Sequence, residues 1–299
     1  KLAKRHKFAQ LSGFVNGVLR NIARNIDSVQ FDTLSIRYSM PQWIVDRFVA
    51  AYGEKKAEEI FKAFHSKSTI SIRTNLTRCT PDELRVMLEA EGVTVTAVDE
   101  LNYAFVISGF DYLNGLQSFR DGLFYVQDIS SMLVAQTAAP KKGDYVIDVC
   151  AAPGGKSTHI AELLQGSGHV LARDLTDNKV GMIEENIDRH GLNNMSAEVW
   201  DATVPDADSA GKADILICDL PCSGLGVLGR KKDIRYKMTP ESVDELAALQ
   251  RQILDTVHTY VKPNGVLVYS TCTIDEAENE DNVRWFIEKH PEFELEELC

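Results

Sequence analysis

Residues 145–158 read YVIDVCAAPGGKST, an apolar run followed by small residues and two consecutive glycines. The run has the composition of a buried strand, and a helical pattern continues from residue 156. Small residues let a ligand lie against the backbone of the connecting loop, with the amino end of the helix facing it. This strand–loop–helix unit predicts an α/β fold with a ligand site at the loop.

Apolar runs and helical patterns alternate on either side of this unit. The predicted helices from residue 128 onward are 128–138, 156–164, 177–190, 240–261 and 276–289. The apolar runs are 145–149, 168–173, 196–199, 213–218, 265–270 and 293–297. Buried strands that alternate with helices predict a mostly parallel, doubly wound sheet, which binds its ligands at the carboxyl ends of the strands.

The first 127 residues have a different pattern. Residues 7–26 form an amphipathic helix that must pack on something else, and 41–65 predict two helices separated at Tyr52-Gly53. A helix opened by Thr80 and strands at 69–75, 93–98, 104–107 and 123–126 predict a small α+β module. The expected domains are a helical end at 1–26, a helical linker with this module at 27–127, and the doubly wound domain at 128–299.

Charge is unevenly distributed along the chain. The net charge of −12 argues against a nucleic-acid enzyme, but residues 275–299 carry ten acidic and only two basic residues. Residues 1–26, 62–78 and 229–237 are locally basic, so surfaces that could bind phosphates are available. Solvated charged faces remain the alternative interpretation of these clusters.

Composition also excludes several classes of protein. No apolar run approaches the roughly 20 residues of a membrane span, and the start at Lys1 has neither Met nor a signal peptide, as in the middle of a longer chain. The six cysteines lack the spacing of a zinc site, so no metal is expected. Scattered cysteines are typical of proteins from a reducing compartment, so we expect a cytoplasmic protein. We also expect a monomer.

Two other nucleotide-binding folds fit the loop less well. Gly155-Lys156-Ser157 ends like a P-loop, but that motif needs Gly where Cys150 stands, and Pro153 removes an amide from the phosphate cradle. A dinucleotide-dependent reductase would need G-x-G-x-x-G after the first strand, which is absent.

Acids and cysteines follow the later strands where each strand ends. Asp174, twenty-six residues after Asp148, is placed to accept hydrogen bonds from ribose hydroxyls, and Asp201 suits an adenine amino group. Asp219, Cys222 and Cys272 follow the fourth and fifth strands. An isolated Asp is more often a cap, and a strand cysteine such as Cys218 is a core residue, but the grouping at successive strand ends predicts a site.

Three motifs resemble one enzyme family. The segments DVCAAPGGKST (148–158), DLPCSG (219–224) and STCT (270–273) resemble the RNA 5-methylcytosine methyltransferases of the NOL/NOP2/Sun type, over about residues 128–290. The resemblance implies a Rossmann-like methyltransferase fold that uses S-adenosyl-L-methionine to methylate cytosine carbon 5 in RNA. FVNGVLR (14–20) is similar to a segment of the bacterial 16S rRNA members, where it closes a NusB-like helical domain.

The resemblance also assigns roles to residues. Cys272 would be the nucleophile that adds to cytosine carbon 6, Cys222 would assist product release, and Asp219 would hydrogen-bond ring nitrogen 3. Lys156 would lower a thiol pKa or hold the base. The expected cofactor-binding residues are Cys150, Ala151, Ala152, Pro153, Gly154, Gly155, Lys156, Asp174, Asp201 and Asp219.

The expected partner is RNA, with the target cytosine unpaired or flipped out so that carbon 6 is accessible. We expect rRNA. A tRNA 5-methylcytosine methyltransferase and a non-enzymatic RNA-binding assembly factor are the alternatives. Two departures from the family pattern are expected: only about the last helix of the NusB-like domain is present, and the strand hairpin that normally finishes the sheet is missing. Lys232 also stands where relatives often have Pro.

Overall fold

A computed structural model describes Arg5 and residues 8–28, 31–66 and 69–296. The chain divides into two compact units, Lys1–His65 and Ser66–Cys299, and each is described by itself. No helix in these ranges is long and apolar enough to cross a bilayer.

The first unit is helical. Its helices are α1 Ser12–Asn25, α2 Leu34–Arg37, α3 Gln42–Tyr52 and α4 Glu54–Phe64. Gly53 separates α3 from α4 at a φ of 76°, a conformation that favours glycine, and the predicted break at this position is confirmed. Phe48 and Phe61 stack between the two helices with ring centroids 5.5 Å apart. No residue of α1 is buried.

The second unit begins with a four-stranded antiparallel sheet of order β2-β3-β1-β4. Its elements are β1 Ile70–Thr74, α5 Pro81–Ala90, β2 Thr94–Val98, β3 Leu101–Ser108, α6 Gln117–Arg120 and β4 Phe124–Val126. Helix α5 starts where predicted because Thr80 and Glu83 form a reciprocal capping box. Its buried Leu84 and Leu88 belong to the same core cluster as Phe105 and Phe124 of the sheet.

The second sheet is parallel, with strand order β7-β6-β5-β8-β9. Its strands are β5 Tyr145–Asp148, β6 His169–Asp174, β7 Met195–Val199, β8 Ala213–Asp219 and β9 Val261–Ser270. The helices are α7 Ile129–Ala138, α8 Gly155–Leu163, α9 Asp177–His190, α10 Ile234–Lys237, α11 Pro240–Val257 and α12 Glu280–Lys289. This order confirms the Rossmann-like prediction, and the strand order reverses between β5 and β8, where such sheets bind ligands.

Several predicted boundaries differ from the structure. The helix predicted to reach residue 261 ends at Val257, and the one predicted from 276 begins at Glu280, each beside a short 3-10 turn. The apolar run 293–297 forms no strand through residue 296, and residue 297 lies outside the described ranges. Phe293 packs on the core whereas Leu295 is exposed, so this run does not bury one alternating face.

A buried arginine links the small sheet to the large one. Arg73 of β1 forms a two-pronged ion pair with Glu162, with Nη2–Oε1 at 2.8 Å, and both side chains are only 1% exposed. Its Nη1 also donates to the carbonyl of Gly155 at 2.9 Å. The expectation that basic residues of 62–78 contact phosphates is therefore wrong for Arg73, while Lys67 lies outside the described residues.

Candidate active site

The loop after β5 is tied to the end of β6 by its own backbone. Ala151 N–H donates to the carbonyl of Arg173 at 2.8 Å, and Ala152 N–H donates to Asp174 Oδ2 at 2.9 Å. The carbonyl of Pro153 accepts a hydrogen bond from Asn186 at 2.9 Å. The predicted cofactor residues from 150 to 155 thus form one braced turn between two strand ends.

Glycine is needed at each of two positions in this loop for a different structural reason. Gly154 has a φ of 101°, which strains any side chain. Gly155 begins α8, and a Cβ there would lie 3.2 Å from the ring of Tyr125 in β4. Both positions therefore let the helix start close to the loop and leave its amino end clear of side chains.

Asp148 lies at the end of β5, directly beneath the loop. Its carboxyl is buried and accepts a hydrogen bond from Ser157 Oγ at 2.5 Å. Burial raises its pKa to about 7, opposed by that hydrogen bond, while the nearby charge of Asp219 raises it further.

Lys156 and Asp219 connect the loop to the end of β8. Lys156 projects from the first turn of α8, and its Nζ lies 2.6 Å from Asp219 Oδ2. The other oxygen of Asp219 accepts a hydrogen bond from Ser270 Oγ, at the end of β9, at 2.8 Å. Residues from three predicted strand ends therefore meet at one place.

The two motif cysteines are in direct contact. Their Sγ atoms lie 3.1 Å apart, although fifty residues separate them in the chain. The backbone N–H of Cys272 donates to Cys222 Sγ at 3.3 Å. Both thiols follow strand ends, Cys222 after β8 and Cys272 after β9, as the sequence predicted.

The environment makes these thiols unequal. The hydrogen bond from Cys222 lowers the pKa of Cys272 to about 7; Lys231 and Lys156 contribute, whereas burial and Asp219 oppose the shift. The same hydrogen bond, together with burial, raises the pKa of Cys222. Cys272 is exposed and Cys222 is half-buried. Near neutral pH a large fraction of Cys272 is therefore ionised, while Cys222 remains a thiol.

Sequence comparison agrees with this arrangement. The 16S rRNA methyltransferase RsmB/F family matches residues 135–299, and the ferredoxin-like domain of RsmF/B-like methyltransferases matches residues 40–110. The first match alone covers more than half of the chain. The chain belongs to the RsmB/F family.

Individual relatives match along nearly the whole chain. A probable ribosomal RNA small subunit methyltransferase B of Bacillus subtilis is 38% identical over 302 residues, covering 98% of this chain and 67% of that protein. Ribosomal RNA small subunit methyltransferase B of Salmonella paratyphi A is 34% identical, covering 97% of this chain and 68% of its own length. The crystal structure of PH0851 has a TM-score of 0.86 at 29% identity, covering all of this chain and 68% of that one.

S-adenosyl-L-methionine is the cofactor of this RsmB/F family member. The residues at the strand ends fit it. Besides Ala152, the Asp174 carboxylate accepts hydrogen bonds from Leu175 N–H at 2.7 Å and Lys179 Nζ at 2.8 Å, which still leaves a lone pair for a ribose hydroxyl. Asp201 follows Trp200, whose backbone N–H donates to the Asp174 carbonyl, and Thr203 donates to one Asp201 oxygen. Those bonds from Thr203 lower the pKa of Asp201, so it remains an acceptor.

The other cysteines among the described residues lie where burial disfavours the reactive thiolate. Cys218 is fully buried in the core cluster of β8, which confirms the prediction that it is a core residue. Burial raises the pKa of Cys79 to about 11 and also raises that of Cys150, which sits in the cofactor loop. Reactive thiol chemistry is therefore confined to Cys222 and Cys272 among the cysteines described.

The basic segment 229–237 contributes fewer free charges than its sequence suggested. Arg235 is 4% exposed and donates to the carbonyl of Leu228, so it is not a phosphate contact. Arg230 pairs with Asp128, and Lys237 pairs with Asp233. Lys231 and Lys232 are both exposed.

Sequence reasoning missed a buried acid near the thiols. Glu278 is fully buried, although it lies within the strongly acidic segment 275–299. Its carboxyl group bonds to Ser223, the residue after Cys222. No sequence signal separates Glu278 from its exposed neighbours Glu276 and Glu280, because its burial depends on distant partners.

One group of side chains elsewhere has the donor types of a metal site. Single donor atoms of Asp255, His258 and His290 lie within 4.8 Å of one another. His258 precedes β9, so the group sits at the opposite edge of the sheet from the thiols. Lys289 Nζ, 2.7 Å from Asp255, already supplies a cation to this carboxylate.

Proposed function

We propose that this protein methylates carbon 5 of a cytosine in RNA, with 16S rRNA as the first candidate substrate, through a covalent bond between Cys272 and carbon 6. The observation that carries the proposal is the thiol pair 3.1 Å apart, with opposite pKa shifts, beside Asp219 and Lys156. The RNA substrate is supported by the names of the relatives, which are small-subunit rRNA methyltransferases.

The first step uses the Cys272 thiolate. Cytosine carbon 5 is a weak nucleophile, and addition of a thiolate to carbon 6 makes it electron-rich. The addition raises the electron density at ring nitrogen 3, which takes up a proton from solvent. Asp219, fixed by Lys156 and Ser270, is placed to accept a hydrogen bond from that protonated nitrogen. Bound S-adenosyl-L-methionine supplies the methyl group from its sulfonium sulfur.

The second step uses Cys222. After carbon 5 has gained the methyl group, its proton must leave and the bond from Cys272 sulfur to carbon 6 must break. The hydrogen bond to Cys272 is the largest cause of the raised pKa of Cys222. When Cys272 becomes a thioether that cause is lost, so the pKa of Cys222 falls. Cys222 can then release its own proton to solvent, and the resulting thiolate accepts the proton from carbon 5 as the bond from Cys272 to carbon 6 breaks.

The base has to reach both thiols. A cytosine within a duplex cannot present carbon 6, so the target is unpaired or is flipped out of the stack. Lys231 is exposed and close enough to lower the pKa of Cys272, which places a cation beside the entering nucleotide. We further propose the division into a NusB-like helical end at 1–26, a linker and RNA-binding module at 27–127, and a catalytic domain at 128–299.

The test traps the adduct. Cys222→Ala incubated with S-adenosyl-L-methionine and 16S rRNA should accumulate a protein–RNA species, with the nucleotide attached to the Cys272 peptide by mass spectrometry. Cys272→Ala should form none, and Cys79→Ala should turn over like the parent because Cys79 lies outside the site.

The same assay separates the alternatives. A tRNA enzyme would form the adduct with tRNA transcripts and not with 16S rRNA, and a non-enzymatic factor would form it with neither. Product nucleosides should contain 5-methylcytidine. A methyl group on another cytosine atom would contradict the mechanism even if the relatives' substrate is correct.

A further inference from the structure

Glu278 occupies an unusual position beneath the two thiol loops. It lies in the 3-10 turn Glu276–Glu278 and is 0% exposed. Its Oε1 accepts hydrogen bonds from Ser223 N–H at 2.8 Å and from Gln250 Nε2 at 3.0 Å. Its Oε2 accepts a hydrogen bond from the Ser223 hydroxyl.

The chain of contacts continues to the second loop. The hydroxyl oxygens of Ser223 and Thr273 lie 3.0 Å apart, and both side chains are buried. Ser223 follows Cys222 and Thr273 follows Cys272, so the path Glu278–Ser223–Thr273 joins the residues next to both sulfur atoms. Gln250 also donates to the carbonyl of Pro221, the residue before Cys222, at 2.9 Å.

Stability alone does not explain this arrangement. A buried carboxyl group is costly to desolvate, and within the described residues Glu278 has neutral hydrogen-bond donors and no Lys or Arg ion pair. An apolar side chain at this position would avoid the desolvation cost. The carboxyl group instead supplies two hydrogen-bond acceptors at fixed positions, and these hold the loop of Ser223 in one orientation.

We propose that Glu278 is a positioning residue that holds the Cys222 and Cys272 loops together and so maintains the sulfur–sulfur contact. Its role in catalysis rests on the proposed function, whereas its effect on the thiols does not. The contact matters because the hydrogen bond from Cys222 is the largest cause of the lowered pKa of Cys272. The other groups that act on Cys272, namely Asp219, Lys231 and Lys156, lie outside this path.

The experiment measures the pH dependence of Cys272 alkylation by iodoacetamide, read from the Cys272 peptide without RNA. The parent should show a midpoint near 7. In Glu278→Leu both acceptors of Ser223 are lost, so the loops should separate. We expect the midpoint to rise by about one unit, which slows alkylation at pH 7 by about fivefold because the ionised fraction falls from about one half to about one tenth.

Matched variants make the result specific. Glu276→Gln changes an exposed acid of the same turn and should keep the parent midpoint. Ser223→Ala and Thr273→Val cut the same path elsewhere and should raise the midpoint, so they decide the question if Glu278→Leu does not fold. Unchanged midpoints in all the folded path variants would overturn the proposal.

Failure of the positioning role can be distinguished from failure of the proposed reaction. If the path variants shift the Cys272 midpoint but the parent forms no 5-methylcytidine, the positioning role stands and the reaction is wrong. If the parent methylates RNA and the midpoints do not move, the reaction stands and the positioning role fails. S-adenosyl-L-methionine affinity should stay at the parent value in every path variant that folds.

Discussion

The two edges of the active site are built in different ways. The cofactor edge, defined as residues 150–155 with Asp174, is one continuous turn fixed by backbone hydrogen bonds to a single strand end. The thiol edge, defined as Asp219, Cys222 and Cys272, is assembled from side chains of two loops fifty residues apart. The first edge is determined by local sequence, and the second by packing between distant segments.

The difference has a functional consequence. A ligand that lies against backbone groups depends little on any one side chain, whereas thiolate chemistry depends on the identity of a single atom and its neighbours. Lys156 joins the edges because it follows the cofactor turn and bonds to Asp219. Substitutions at either edge should therefore change one function and leave the other, and substitution of Lys156 should affect both.

The largest expected effect comes from removing the nucleophile. Cys272→Ser should lower methyl transfer to RNA by at least about a thousandfold, because a serine hydroxyl is not ionised near neutral pH and cannot form the adduct efficiently. Radiolabelled methyl incorporation measures the loss. S-adenosyl-L-methionine affinity should change less than about twofold, since the cofactor edge is untouched.

Two results bear on that separation. Cys79→Ala, a cysteine of the small module, is the control for the loss of a thiol as such. More than a tenth of the parent activity in Cys272→Ser would contradict the assignment of the nucleophile. A large loss of cofactor affinity would instead show that the edges are not independent.

A second effect concerns Asp148, beneath the cofactor edge. Its pKa rises from the ordinary 3.8 to about 7 on folding, so the folded state keeps a proton that the unfolded state loses between pH 4 and pH 7. Stability should therefore fall as pH rises through this window and level off above it. The Asp148→Asn variant carries no such proton, while its amide oxygen can still accept the hydrogen bond of Ser157.

Urea unfolding at pH 5 and pH 8 measures the effect. The parent should lose roughly 2–3 kcal/mol more than Asp148→Asn between these values, from about 1.4 kcal/mol per pH unit. Asp208→Asn, an exposed acid, is the control and should follow the parent. Parallel pH dependence in the parent and Asp148→Asn would mean that Asp148 is ionised in the folded protein.

Much of the fold could be predicted because its signals are local. The capping residue Thr80, the break at Gly53 and the apolar runs of β5 to β9 placed elements within a few residues of their observed bounds. The parallel order follows from alternating strands and helices. The run at 293–297 failed because alternation in a short segment does not show whether a neighbouring strand is available.

The site was predicted as far as it depends on strand ends. Asp174, Asp219, Cys222 and Cys272 lie at the predicted edge of the sheet because parallel strands bring their carboxyl ends together. Arg73 and Glu278 could not be interpreted correctly, since their partners lie 89 and 55 residues away. A charged residue whose partner is remote looks like any other surface charge.

A smaller effect is expected at Asp174. In Asp174→Asn the amide NH2 group must face a backbone N–H, either of Ala152 or of Leu175, because each carboxylate oxygen now accepts one of them. The cofactor turn loses its tie to β6, and S-adenosyl-L-methionine affinity should fall by about tenfold, as for loss of a hydrogen bond to a charged group. Titration calorimetry measures the affinity.

Alkylation of Cys272 tests whether the effect of Asp174→Asn is confined to the cofactor edge. Cys272 alkylation should keep its midpoint near 7 in Asp174→Asn, since Asp174 is not among the groups that shift that pKa. Asp177→Asn, an exposed acid at the start of α9, should leave affinity unchanged. A shifted alkylation midpoint would show that the cofactor turn and the thiols are mechanically coupled.

The smallest effect separates the two lysines that act on Cys272. Lys231→Met and Lys156→Met should each raise the Cys272 midpoint modestly, slowing alkylation at pH 7 by roughly two- to threefold, because each removes a positive charge that favours the thiolate.

Lys231 is exposed, so its effect should largely disappear in 1 M salt, where the screening length is about 3 Å. Lys156 is 16% exposed and paired with Asp219, so its effect should persist in salt. Lys232→Met is the matched control, because Lys232 is next to Lys231 but is not among the largest influences on the pKa of Cys272. Equal salt sensitivity of Lys156→Met and Lys231→Met would mean that Lys156 acts on Cys272 through solvent, as an exposed charge does. Lys156 would then not connect the cofactor edge to the thiol edge.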